Sequence, residues 1–362
     1  MNLFIEKMRK DLNENEAILA KSKDIKKYLN TLEGSGVEIL ILKKKIYLIM
    51  DGRYIEDAKK RYYNNKNIYI LKNDKKTNIE IIKEICKNDK INKLKVEYNA
   101  YKIKEYMNLE KLKLELENFD EEFKKIRMIK TKNEIEIIME ACEITDKVFE
   151  NVINNIKIGM TEREISALVQ YYSIKFGASK MSFDPVISSG KRTAYPHARP
   201  SDKKIEKNDF IMLDFGIEYR GYQSDMTRMI FIGKPNKKIE EIYNIVLNAQ
   251  LEAIKNIKIG EKCKNIDKIS RNIIKEFGYG DYFVHGLGHG IGINNGDEYP
   301  KLNKESEMIL QEGMIMSCEP GIYLPNIGGI RIEDDVCIIN GKAVSLNKTT
   351  KKIIVLENKD EI

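Results

Sequence analysis

The sequence predicts two domains in series, an α/β domain over residues 1–124 and a larger α+β domain over residues 125–362. Three observations predict it. A chain of 362 residues exceeds what one ordinary core organises, at roughly 150 residues per domain. Strand-like and helix-like patterns alternate through the first third. The remainder opens on long helical periodicity and changes, from Met181, to strands, glycines and prolines.

Taken in order, an opening helix over residues 2–10 leads to the apolar segment EAILA. VEILIL and IYLIM, on either side of Lys43-Lys44-Lys45, read as a β-hairpin with a lysine tip. A helix over 54–63 follows Asp51-Gly52-Arg53, then a strand at 67–71, a helix near 78–88 and a strand at 93–98. This domain holds no histidine and no cluster of candidate metal ligands. The charged stretch FDEEFKKIRMIKTKN, residues 119–133, reads as the junction. Apolar residues at 137, 138, 141, 144, 148 and 152 then recur at helical spacing across 134–156. Gly159 closes that helix, and Thr161-Glu162-Arg163-Glu164 is a capping box for the next.

Composition narrows the function. With 42% hydrophobic and 33% charged residues the chain is a folded, soluble one, and no apolar run approaches the roughly 18 residues of a membrane span. The N-terminus lacks the apolar core of a signal peptide, so a cytoplasmic location is expected. Five scattered cysteines without CxxC spacing read as small buried hydrophobes. The net charge of +7 comes from lysines interleaved with acids, and arginine is scarce, so no nucleic-acid partner is expected. GLGHGIG misses the spacing of a dinucleotide loop, SSGKR lacks the rest of a P-loop, and no GxSxG serine elbow occurs.

What remains is carboxylates and histidines on strand-like segments. FIMLDFGIEYRGYQSDMTRMIFIG, residues 210–233, reads as a hairpin; a turn between Tyr219 and Arg220 sets Asp214 opposite Asp225. Facing carboxylates repel, and each is costly in an apolar strand, so a cation between them relieves both penalties. A different register with two exposed aspartates is the plain alternative. MIMSCEPGIYL and GIRIEDDVCII flank PNIG, and symmetric spacing about Asn326 sets Glu319 opposite Glu333, although a surface Arg331–Glu pair is an alternative. VHGLGHGIG, residues 284–292, is too rich in glycine for a helix. On an extended strand His285 and His289 point to one side, and the glycines admit a ligand or another backbone. Asp214, Asp225, Glu319, Glu333 and one imidazole make an oxygen-rich site that suits manganese, with iron, cobalt or zinc possible. Four carboxylates exceed the needs of one ion; a pair about 3.5–4 Å apart, activating a bridging water for hydrolysis, is the economical arrangement.

These residues resemble the creatinase-fold metallopeptidases, in particular the Xaa-Pro aminopeptidase and prolidase branch. SGKRTAYPHARPSDKKIEKNDFIMLDFG, SDMTR, HGLGHGIG, CEPGIY and RIEDD follow in that family's order, and MDGRYIEDAKK is similar to its N-terminal domain. The resemblance implies a pita-bread catalytic domain after a creatinase-like N-terminal one, and a homodimer. It implies that Asp214 chelates one ion, His289 and Glu319 the other, and that Asp225 and Glu333 bridge both. Glu319 would be the general base, His197 and His285 would contact the substrate and its developing oxyanion, and Arg331 would hold the metal-binding aspartate. The implied function is a two-metal aminopeptidase releasing the residue before proline from small peptides. The alternatives are an Xaa-Pro dipeptidase or a catalytically silent binding scaffold. One position departs from the pattern: the family's further histidine, seven residues after the metal-binding one, is Gly296 here, with Asn294 and Asn295 as partial substitutes.

Overall fold

The computed structural model describes every residue except 1, 30, 295, 297 and 358–362. Its contacts divide the chain into two compact units, Met1–Ile126 and Arg127–Ile362.

The first unit is built on one six-stranded sheet. Its order is Ile68–Lys72, Ile46–Met50, Val37–Leu42, Glu16–Ala20, Lys93–Val96, Glu115–Asn118. The lysine-tipped hairpin pairs Val37 with Met50 and Ile41 with Ile46, and the outer strands add in parallel. Glu16–Ala20 and Val37–Leu42 are buried along their whole length, as central strands covered on both faces must be. The sequence reading passed over the helix Ile103–Glu110 and the edge strand Glu115–Asn118. The division falls inside 119–133, the stretch expected to be the junction, and that stretch includes a helix, Asp120–Met128. Three acids fill its first turn, where the helix dipole favours them, and Phe119, Phe123 and Met128 are buried, so most of the charges lie on the solvent side of an amphipathic helix, Arg127 being the buried exception.

In the second unit two helix pairs flank a set of curved strands. Lys132–Asn155 packs with Glu162–Lys175, and Lys237–Asn256 with Cys263–Glu276. All six apolar positions read as the face of the first helix are buried. Thr131 and Glu134 close a capping box there, and Thr161 and Glu164 close the next. The strand Phe210–Phe215 lies between Val186–Ser189 and Met226–Ile232. Its alternation serves two cores. Ile211, Leu213 and Phe215 pack with the first helix pair, Phe210 and Met212 with the second. The partner strand divides likewise, with Met226, Ile230 and Ile232 on one side and Met229 and Phe231 on the other. Asp214 and Thr227 pair across these strands and so share the face toward the second core. All five cysteines are free and buried. Among the described residues no helix is long and apolar enough to cross a membrane.

Candidate metal centre

The first hairpin carries Asp214 and Asp225, in a register two residues from the expected one. Asp214 pairs with Thr227, and Tyr219 with Tyr222, so the turn residues are Arg220 and Gly221. Both have positive φ, +50° and +85°, which is the two-residue turn that matches strand twist. Asp225 therefore lies diagonally from Asp214, two positions from its cross-strand partner. The second hairpin keeps the expected register. Cys318 pairs with Asp334 and Gly321 with Arg331, which sets Glu319 opposite Glu333 where the ladder is interrupted. His285 and His289 do not share a strand, because only Gly288–Gly290 is extended. The glycines admit backbone rather than ligand: a Cβ on Gly288 would meet Ser317 O at 2.1 Å, and one on Gly290 would meet Tyr299 O at 2.2 Å.

Asp214, Asp225, His289, Glu319 and Glu333 line one cavity of about 510 Å³, together with His197, His285 and Arg331. Donor atoms of Asp225, His289 and Glu333 lie within 4.8 Å of one another. His289 Nε2 is 3.4 Å from Glu319 Oε1 and 3.7 Å from Asp225 Oδ2. Its Nδ1 faces Gly290 O at 3.0 Å, a carbonyl that can only accept, so Nδ1 carries a proton and Nε2 is the ring nitrogen turned toward the acids. Ser317 Oγ donates to Glu319 Oε1 at 3.0 Å.

The electrostatics call for positive charge. Burial pushes the carboxyl of Glu333 well above its ordinary range, and Asp225, Glu319 and Asp214 add to the shift. Burial also raises Asp214, against the attraction of Arg331, which donates to it through Nη2. Glu333 is 2% exposed; Thr227 Oγ1 donates to its Oε2 at 2.6 Å, while its Oε1 accepts no hydrogen bond among the described residues. A buried carboxylate oxygen without a hydrogen bond, beside other acids and an imidazole nitrogen, fits divalent cations.

Arg331 is fixed on every side. It donates to Thr227 Oγ1 at 3.1 Å, Pro196 O at 3.1 Å and Tyr323 Oη at 2.8 Å, as well as to Asp214. Since Arg331 only donates, the Tyr323 hydroxyl proton goes to His285 Nε2, 2.8 Å away, and Nδ1–H of His285 faces Gly286 O at 2.8 Å. Both ring nitrogens of His285 are thereby engaged, and burial lowers its pKa. His197 is exposed on the cavity wall. Gly296 also lines the cavity, with φ +77°, a backbone state in which a histidine would be strained; among the described residues nothing lies within 4 Å of a Cβ there. The Asn294 backbone N–H donates to Glu298 Oε1 at 3.2 Å, and Asn295 lies outside the described residues. Sequence reasoning missed Thr227, Ser317 and Tyr323, neutral hydroxyls that look like ordinary strand residues.

This arrangement of hairpins and acids is that of a candidate metal centre. Residues 136–340 match metallopeptidase family M24, and the chain belongs to that family. It has the pita-bread fold preceded by an N-terminal domain. The chain is 48% identical over 240 residues to an Xaa-Pro dipeptidase of Pyrococcus furiosus, covering 66% of this chain and 69% of that one. Its structure is similar to an Xaa-Pro dipeptidase from Bacillus anthracis, with a TM-score of 0.91 and 37% identity over 98% of this chain and 99% of that chain. It is also similar to an X-Pro aminopeptidase from Thermotoga maritima, at a TM-score of 0.89 and 33% identity over 96% of this chain and 100% of that chain.

Proposed function

We propose that this chain is an Xaa-Pro dipeptidase that uses two divalent ions, manganese first among them, held by Asp214, Asp225, His289, Glu319 and Glu333. The observation that carries the reading is the convergence of four carboxylates and one imidazole on a single cavity, with a Glu333 oxygen left without a hydrogen bond among the described residues. The sequence put an aminopeptidase first. The 48% identity to a protein named Xaa-Pro dipeptidase supports the dipeptidase alternative better.

When bound, the ions supply Lewis acidity and charge for the substrate's amine, carbonyl and attacking water. The chain's own residues handle protons and position. Glu319, oriented by Ser317, takes the proton of the attacking water and returns it to the leaving imino nitrogen of proline. His197, on an exposed turn of the cavity wall, donates to the carbonyl oxygen as negative charge develops there. His285 acts through Tyr323, holding the phenol that in turn steadies Arg331 and hence Asp214. The silent-scaffold alternative gains nothing from the site, since each of the five candidate ligands lines the cavity.

The test is a comparison of Ala-Pro with Ala-Pro-Ala by the manganese-loaded chain. Preferential cleavage of the dipeptide supports the proposal. Cleavage of the tripeptide alone would return the reading to an aminopeptidase, and cleavage of neither with metal bound would leave a scaffold.

A further inference from the structure

Glu162 stands in the sequence as the second residue of a capping box, in which Thr161 and Glu164 do the capping. Its own side chain does something else. It is 0% exposed at the first turn of the helix Glu162–Lys175, and its carboxylate reaches out of the helix to a separate stretch of chain. Oε1 accepts from the Ser189 N–H at 2.8 Å and the Ser189 hydroxyl at 3.0 Å. Oε2 accepts from the Ser201 N–H at 2.9 Å and the Ser201 hydroxyl at 2.6 Å. Arg192 Nε lies against both oxygens, at 3.2 Å and 3.1 Å, and its Nη2 donates to Arg199 O at 2.8 Å. One buried carboxylate therefore joins both ends of the segment 189–201.

That segment carries Pro196 and His197, which line the metal cavity. Its middle is tied to the site as well: Thr193 Oγ1 accepts from the Gly329 N–H at 2.7 Å, and Pro196 O accepts from Arg331 at 3.1 Å. Tyr195, by contrast, is 66% exposed, so the largest side chain of the turn does little to hold it. A buried charge with this many donors is expensive to form and rigid once formed. We propose that Glu162 is a positioning residue: it closes the base of the His197 turn and thereby sets where the imidazole meets the substrate carbonyl. The inference rests on the role given to His197 above.

The carboxylate accepts at both oxygens, and an amide cannot. Glu162→Gln turns an N–H donor toward the donors of Ser189 or Ser201, which opens one end of the loop without touching a metal ligand. Displacements of about 1 Å remote from the chemistry cost on the order of 10²-fold in rate. The expected result is a loss of that order in kcat/KM on Ala-Pro, with manganese affinity by calorimetry unchanged. Amide hydrogen exchange should rise within 190–200 and not in the strands Phe210–Phe215 or Met226–Ile232. In a His197→Ala background the same substitution should cost little more, because the two act through one contact. An equal proportional loss in both backgrounds, or exchange rising across the sheet, would overturn the proposal.

If His197→Ala alone keeps full activity, the reading of His197 fails, and the exchange result decides whether Glu162 clamps the segment; unchanged protection at 190–200 would overturn that too. Ser201→Ala, which keeps the backbone N–H, provides the same measurements with a smaller expected loss should Glu162→Gln fold poorly. A Ser201→Ala chain with wild-type kcat/KM and wild-type exchange at 190–200 would likewise overturn the clamp.

Discussion

Thr227→Val removes one hydroxyl and keeps the shape of the side chain. In the folded chain that hydroxyl accepts from Arg331 Nε at 3.1 Å and is thereby turned to donate to Glu333 Oε2 at 2.6 Å. It occupies one oxygen of Glu333 and leaves Oε1 without a hydrogen bond among the described residues. Hydrogen bonds to charged groups contribute about 1.5–3 kcal/mol. At about 1.4 kcal/mol per tenfold, losing this one weakens ion binding by roughly 10–100-fold. Loss of an outer partner of a metal ligand typically costs the same range. The assay is calorimetric titration of the metal-free chain with manganese, comparing wild type, Thr227→Val and Thr227→Ser. Serine should restore most of the affinity, since it restores the donor. Wild-type affinity in Thr227→Val, or a serine variant as weak as the valine one, would refute the reasoning.

Glu319→Gln should lower turnover of Ala-Pro by about 10²–10⁴-fold, because an amide can neither take the water's proton nor return it; a variant within a few-fold of wild type would assign the base elsewhere. Lys26, in the first unit, is 2% exposed and donates to Gly34 O at 3.0 Å, and burial pushes its ammonium down to about 8. The unfolded lysine keeps its ordinary higher value, so between about pH 8 and 10 the unfolded chain holds more of this proton and wild-type stability rises with pH. Lys26→Met removes that dependence. Its unfolding midpoint relative to wild type should be highest at pH 7 and fall as pH rises to 10, and a difference constant with pH would contradict the burial argument.

Much of this was legible because it is local. The face of the helix Lys132–Asn155 follows from spacing alone, and the second hairpin's register follows from symmetry about Asn326, which takes a positive φ, +65°, in its turn. The first hairpin was read two residues out because the pattern of apolar residues does not say which pair forms the turn. Arg220-Gly221 wins, since glycine tolerates the second left-handed position. The helix Asp120–Met128 within the expected junction is hidden by its own charge, since a helix's solvated face and an irregular connection look alike when only the acids and lysines are counted. Acids and histidines announce a metal site by their expense in apolar strands. Thr227, Ser317 and Tyr323 cost nothing there, so their roles appear only when the strands are brought together. Glu162 is a sharper case, because a legible capping pattern supplied an adequate reason for an acid at that point and concealed its tie to Ser189 and Ser201.

The central claim is that five side chains hold two ions, with Asp225 and Glu333 shared between them. Manganese stoichiometry per chain, measured by mass spectrometry after chelation and reloading, tests this most directly in wild type, Asp225→Ala, Glu333→Ala and Asp214→Ala. The account predicts two ions in wild type, near-complete loss of both when either shared carboxylate is removed, and one retained in Asp214→Ala. A folded wild type that binds no ion, or equal stoichiometry in all three variants, would contradict it.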